Sequence, residues 1–188
     1  MSLRVGIAGY GLAGRYFHAP LLKGCGFEIV AVQTSNADRS IHAQQDFPNT
    51  VVVATIDELV SHKLDLVVVA SANLVHAKHA LAAINAGIPV VVDKPMGRTL
   101  AETQLIVDAA NKAGVGLCTF FNRRWDSDAL TIKKVLASGV LGEIHRIDSR
   151  FERFRPELNA TSWRENMSAS DGGGQLLDLQ PHLISTAI

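Results

Sequence analysis

The stretch "LRVGIAGYGLAG" (3–14) decides the fold. Residues 3–9 read as a buried strand, and the segment from Leu12 to Leu22 reads as a helix. Between them, Gly9, Gly11 and Gly14 match the pattern G-x-G-x-x-G. Set between a strand and a helix, that pattern is the fingerprint of a dinucleotide-binding turn. Gly9 permits the tight turn, Gly11 lets backbone approach a pyrophosphate, and Gly14 allows helix and strand to pack closely. Leu12 stands at the helix start, where unpaired N–H groups and the helix dipole favour phosphate.

Outward from this stretch, β-branched runs alternate with helical ones. Strands are expected at 28–33, 50–54, 64–71, 88–93 and 115–121. Asn36 caps the helix after the second strand, and Thr55 with Glu58 forms a capping box. A helix from Asn73 to Ala86 closes at Gly87. Thr99 and Glu102 suggest a second capping box, for a helix ending near Gly114. Such alternation predicts an α/β protein with a doubly wound parallel sheet over 1–121. After Phe121 the pattern changes. A helix is expected from Ser127 to Gly139, one long strand over 143–154, and a final helix after the glycines at 172–174. Residues 122–188 therefore read as the beginning of a second domain.

Composition narrows the class. The hydrophobic fraction is 47% and the charged fraction 19%, enough for a packed core. Eighteen basic and eighteen acidic residues cancel, so no overall field points to nucleic acid or a membrane surface. No apolar run is long enough to span a bilayer, and the N-terminus lacks a signal-peptide core. A cytoplasmic protein is expected. Cys25 and Cys118 lack metal-ligand spacing and read as buried free thiols.

The end of the second strand bears on the choice of dinucleotide. An NAD site usually places an acid there for the ribose 2′-hydroxyl. Here Thr34, Ser35 and Asn36 are neutral, and Arg39 is available to a 2′-phosphate. That favours NADP over NAD.

Two further motifs carry chemistry. "DKPM" (93–96) falls where the fifth strand ends, on the edge where open α/β sheets bind ligands. "GGGQLLDLQPHL" (172–183) places Asp178 and His182 four residues apart on one helix face, behind what reads as a glycine hinge. An imidazole there suits proton transfer near neutral pH, and a carboxylate beside it can hold a substrate or orient the ring.

Taken in order, "GYGLAG", "DKPM", "WRE" (163–165) and "GGGQLLDLQPH" resemble the Gfo/Idh/MocA family of NAD(P)-dependent oxidoreductases. "GRYFHAPLL" and "FNRRWDSD" are similar to its scyllo-inositol dehydrogenase-like branch. The resemblance implies a Rossmann domain followed by an α+β domain whose open sheet serves oligomer contacts, hence a homo-oligomer. It implies hydride transfer on a polyol, inositol or sugar, with Lys94 as the catalytic lysine and a frequently cis peptide to Pro95. Asp178 becomes the substrate-binding acid and His182 the proton-transferring histidine, also in contact with substrate. Lys94, Pro95, Ser71, Asn73, His76, Trp163 and Arg164 join the cofactor-binding set. No metal is implied, because Lys94 supplies the electrophile.

Asn122 and Arg123 are candidates for substrate binding. Arg123, Arg124 and Trp125 either line the substrate pocket or brace the domain junction, and both stay open. Family members continue well past Ile188, so the resemblance implies that the second domain is incomplete here. A non-catalytic dinucleotide-binding sensor or scaffold is the alternative to an active enzyme.

Overall fold

Parallel strands buried on both faces need apolar side chains at successive positions, and the central strands of this protein have them. In the computed structural model, β1 (Arg4–Ala8), β2 (Glu28–Gln33), β3 (Val51–Val53), β4 (Leu66–Val69), β5 (Val90–Asp93) and β6 (Leu117–Phe120) form one sheet. All pairs are parallel and the order is β3-β2-β1-β4-β5-β6. This is the Rossmann order, with its switch point between β1 and β4. The structure describes residues 2–152, 154, 156, 157, 159 and 162–188, without the side chains of Trp163 and Arg164.

Side-chain alternation sorts the core into two layers. Val5, Ile7, Val32 and Val68 pack with Ala19 and Leu22 of α1 (Ala19–Gly24) and Ala43 of α2 (Ala37–Asp46). On the opposite face, Ala8, Ala31, Val67 and Val69 pack with three helices, α3 (Ile56–Ser61), α4 (His76–Asn85) and α5 (Leu100–Ala113). Val67 and Val69 face one way and Val68 the other, as a period of two requires. Each fully buried valine contributes roughly 1.5–3 kcal/mol over an exposed one.

The helix ends follow local chemistry. Asn36 accepts from the Arg39 amide, and Thr55 with Glu58 forms a complete capping box. At α5 only half of the expected box forms. Thr99 accepts from the Glu102 amide, but the Glu102 carboxylate accepts from the Arg98 amide and guanidinium instead. A charged guanidinium is a stronger donor than a backbone amide. Gly87 and Gly114 close α4 and α5 in the left-handed conformation, at φ 74° and 67°.

The helix after the glycine loop runs to Gly24 but contains a π turn over Gly14–His18. Pro20 has no N–H to give the Tyr16 carbonyl, so the α register cannot continue through it.

The chain divides into two units, Met1–Phe120 and Phe121–Ile188. Among the described residues the second is helical, with α6 (Ser127–Ala137), α7 (Trp163–Asn166) and α8 (Gln175–Ala187). The long strand expected at 143–154 does not form over its described residues, and Arg153 lies outside them. Alternating polarity selects a face, but a strand forms only where a neighbour takes its N–H and C=O groups. No strand stands beside it among the described residues of this unit.

Candidate functional site

The glycine loop has the tightness its sequence requires. Gly9 has φ 97°, and a β-carbon there would stand 2.6 Å from Ser71 Cα. One on Gly14 would stand 2.1 Å from the Gly9 carbonyl oxygen. Both positions therefore exclude every side chain. Gly11 differs, since a β-carbon there would meet only the Arg39 guanidinium, 3.6 Å away. The Arg39 head thus lies beside the one glycine of the motif that has room for a β-carbon. Leu12 is exposed at the helix start.

At the end of β2, the Thr34 hydroxyl is buried and accepts from the Asn36 amide, which shapes the turn. Asn36 uses its side-chain oxygen as the α2 cap, and Ser35 is exposed. Neither is an acid. Gln33, the last residue of β2, gives its amide to the Ala54 carbonyl.

Behind the loop, Tyr10 is buried and donates to Asp46, which also receives a bidentate pair from Arg15. The Arg15 guanidinium holds the Asp46 carboxyl below its usual range. Burial, then the hydrogen bond to Asp46, pushes the Tyr10 phenol up. This clip ties the first helix to the end of α2.

The exits of β4 and β5 lie side by side, next to the switch point. Ser71 shares a hydrogen bond with His79 Nδ1 at 3.1 Å. Burial pushes the His79 imidazole down to about 4. Asn73, in the 3₁₀ turn before α4, and His76, the first residue of α4, are both buried. Lys94 is half-buried, its amide donates to its neighbour Asp93, and its peptide to Pro95 is cis. His18, on the π turn, meets the Phe120 ring in a tilted contact at 4.3 Å, with Nε2 3.8 Å from the Asp93 carboxylate.

In the second unit, Asp178 and His182 stand one turn apart on α8, half-buried and buried respectively. The glycines before them form a packed turn, not the hinge expected from sequence. Gly172 and Gly174 have φ 94° and 86°, and a β-carbon on Gly173 would stand 2.2 Å from the Met167 carbonyl oxygen. Positive φ and close packing together fix that backbone. Asn122 and Arg123 lie in a 3₁₀ turn, where Arg123 pairs with Asp126 and covers the Phe151 ring at 4.7 Å. The Trp163 and Arg164 side chains lie outside the described residues.

The thiols correct an expectation, because Cys25 and Cys118 are free but exposed. Cys25 ends α1 at the surface and Cys118 lies on the edge strand β6. His18, Asp93 and the Tyr10–Arg15–Asp46 clip escape sequence reasoning because their partners are distant in the chain. His79 was legible in part, as it follows His76 by three positions on one helix. Among the described residues no cluster of three or more His, Cys, Asp or Glu could hold a metal ion, and no helix is long and apolar enough to cross a membrane.

Residues 3–121 match the profile of the oxidoreductase family with the NAD-binding Rossmann fold (GFO_IDH_MocA), and residues 129–188 match a GFO/IDH/MocA C-terminal domain. The uncharacterized oxidoreductase YdgJ of Escherichia coli (strain K12) is 42% identical over all of this chain and 53% of its own length. The scyllo-inositol 2-dehydrogenase (NADP(+)) IolW of Bacillus subtilis (strain 168) is 38% identical over 100% of this chain and 51% of its own. The crystal structure of an NAD-binding protein from Listeria innocua superposes with a TM-score of 0.89 at 28% identity, covering 100% of this chain and 54% of that one. The chain thus spans about half the length of the relatives it matches.

Proposed function

The chain belongs to the Gfo/Idh/MocA family of oxidoreductases, and on that footing we propose that it transfers a hydride between NADP, in preference to NAD, and a secondary alcohol of a polyol, inositol or sugar. One observation carries the reading above the rest. The Arg39 guanidinium lies beside Gly11, and Thr34, Ser35 and Asn36 at the exit of β2 are all neutral. A guanidinium suits a 2′-phosphate through paired, charge-assisted hydrogen bonds. The relative IolW carries NADP(+) in its name, which agrees.

On this reading the loop amides and the helix start at Leu12 hold the pyrophosphate, with Thr34, Ser35, Asn36 and Arg39 at the ribose. Ser71, Asn73, His76, Pro95, Trp163 and Arg164 complete the cofactor site. When bound, the nicotinamide supplies the carbon that accepts or donates hydride. His182 takes the hydroxyl proton of the alcohol as the carbonyl forms, and returns it in the reverse direction. Lys94 donates to the substrate oxygen and steadies its developing negative charge. Asp178, with Asn122 and Arg123, holds neighbouring hydroxyls and fixes which carbon reacts. Domain 1–121 holds the dinucleotide and 122–188 contributes the proton-transfer helix. The partners are small molecules and further copies of the chain in a cytoplasmic homo-oligomer, with neither nucleic acid nor membrane among them.

A spectrophotometric screen of polyols and sugars with NADP tests the reading. His182→Ala is expected to keep NADPH affinity and lose turnover by roughly 10²–10⁴. Turnover within about tenfold of the parent would remove His182 from the role of base. A chain that binds NADPH yet oxidises no alcohol in the screen is instead a dinucleotide-binding sensor. Arg39→Ala is expected to weaken NADPH binding while leaving NADH binding unchanged, measured by titration of cofactor fluorescence.

A further inference from the structure

His76 has no part in the proton transfer proposed above, yet it is 1% exposed and opens α4. Its two ring nitrogens each face a backbone carbonyl. Nδ1 lies 2.8 Å from the Pro95 oxygen and Nε2 lies 2.9 Å from the Ser71 oxygen. A carbonyl oxygen only accepts, and a neutral imidazole has a single N–H to give. Both contacts are hydrogen bonds only when both nitrogens carry a proton. With one bare nitrogen, a ring lone pair would face a carbonyl lone pair at hydrogen-bond distance.

The two carbonyls belong to the two walls of the candidate site. Ser71 leaves β4, and its backbone is the surface against which Gly9 packs. Pro95 follows Lys94 at the exit of β5. Ser71 is held a second time, through its hydroxyl, by His79 one turn further along α4. Helix α4 therefore grips the glycine loop's neighbour with two histidines, and one of them reaches on to the lysine turn.

We propose that His76 is the positioning residue of this site. By donating from both ring nitrogens it clamps Ser71 to the Lys94–Pro95 turn, and so fixes Lys94 against the glycine loop. This rests on the reading of Lys94 as the donor to the substrate oxygen. A glutamine in its place has both its donors on one nitrogen and cannot span two carbonyls that the ring meets from two separate nitrogens.

The test uses the 188-residue chain with nitrogen-15 in its histidine rings and long-range proton–nitrogen spectra. His76→Gln assigns the ring by the signals that vanish, and should that variant not fold, single substitutions of the other six histidines assign it by elimination. Two protonated nitrogens on the His76 ring, beside a His79 ring with one bare nitrogen, are the expected result. A bare nitrogen on His76 overturns the clamp, whatever activity is found. In His76→Gln the amide resonances of Ser71 and Lys94 should move together, and unmoved Lys94 signals would also overturn it. With an accepted alcohol and saturating NADP, His76→Gln should lower kcat roughly tenfold to hundredfold, by more than it changes the KM for the alcohol. An unchanged kcat would reduce the clamp to a structural tie and sink the positioning role. Absence of turnover in the parent chain counts against the oxidoreductase reading, while the spectra still decide the clamp.

Discussion

A β-carbon at Gly14 would stand 2.1 Å from a backbone oxygen, whereas one at Gly11 would make an ordinary contact at 3.6 Å. Gly14→Ala is therefore expected to cost about 3 kcal/mol or more in urea unfolding, because backbone cannot give way as a side chain does. Gly11→Ala should leave that stability unchanged and weaken NADPH binding. His79 supplies a pH prediction at the same scale. Its folded value of about 4 lies below its ordinary 6.5, so between those values the unfolded chain binds a proton that the folded chain refuses. Stability present above pH 6.5 falls as pH drops toward 4, by roughly 3 kcal/mol for the full shift. Urea midpoints measured across that window should show the slope, and His79→Gln should flatten it. The carboxylates of Asp46, Glu58 and Glu102, all held below their ordinary values, lose their contribution at lower pH still.

Helix ends were the most legible elements, because a cap is a contact between residues three apart. The Thr55–Glu58 box could be read directly, and Thr55→Ala is expected to cost about 1 kcal/mol in equilibrium unfolding. The second box was half legible. Thr99 caps as expected, but sequence spacing alone could not reveal that Arg98 would claim the Glu102 carboxylate. The π turn at Gly14–His18 was hidden for a related reason. Pro20 forbids the α register, yet only packing decides that the wider turn carries Gly14 and His18 inward. The strand expected at 143–154 marks the opposite limit. Its alternation was a property of the segment, but a ladder is a property of two segments.

At the scale of the molecule, the first unit has a continuous core on both faces of its sheet, while α6 in the second buries no residue. Residues 143–150 are exposed and carry no regular structure. Limited proteolysis should therefore cut first within 139–152 and leave a fragment containing 1–120 intact, read by mass spectrometry. Early cleavage inside 1–120 would contradict this division of stability.

The sequence by itself determined the strand–helix alternation, the glycine turn, most caps and the shared helix of Asp178 and His182. Each follows from hydrogen bonds or side-chain periods that act within a few residues. Only the tertiary structure decided that His76 lies between the Ser71 and Pro95 carbonyls, that Tyr10 and Arg15 close on Asp46, and that both thiols reach the surface. Pro95 is 19 residues from His76, and Asp46 is 36 from Tyr10. Strand order sets such distances, and strand order emerges only when the whole sheet buries its apolar faces together.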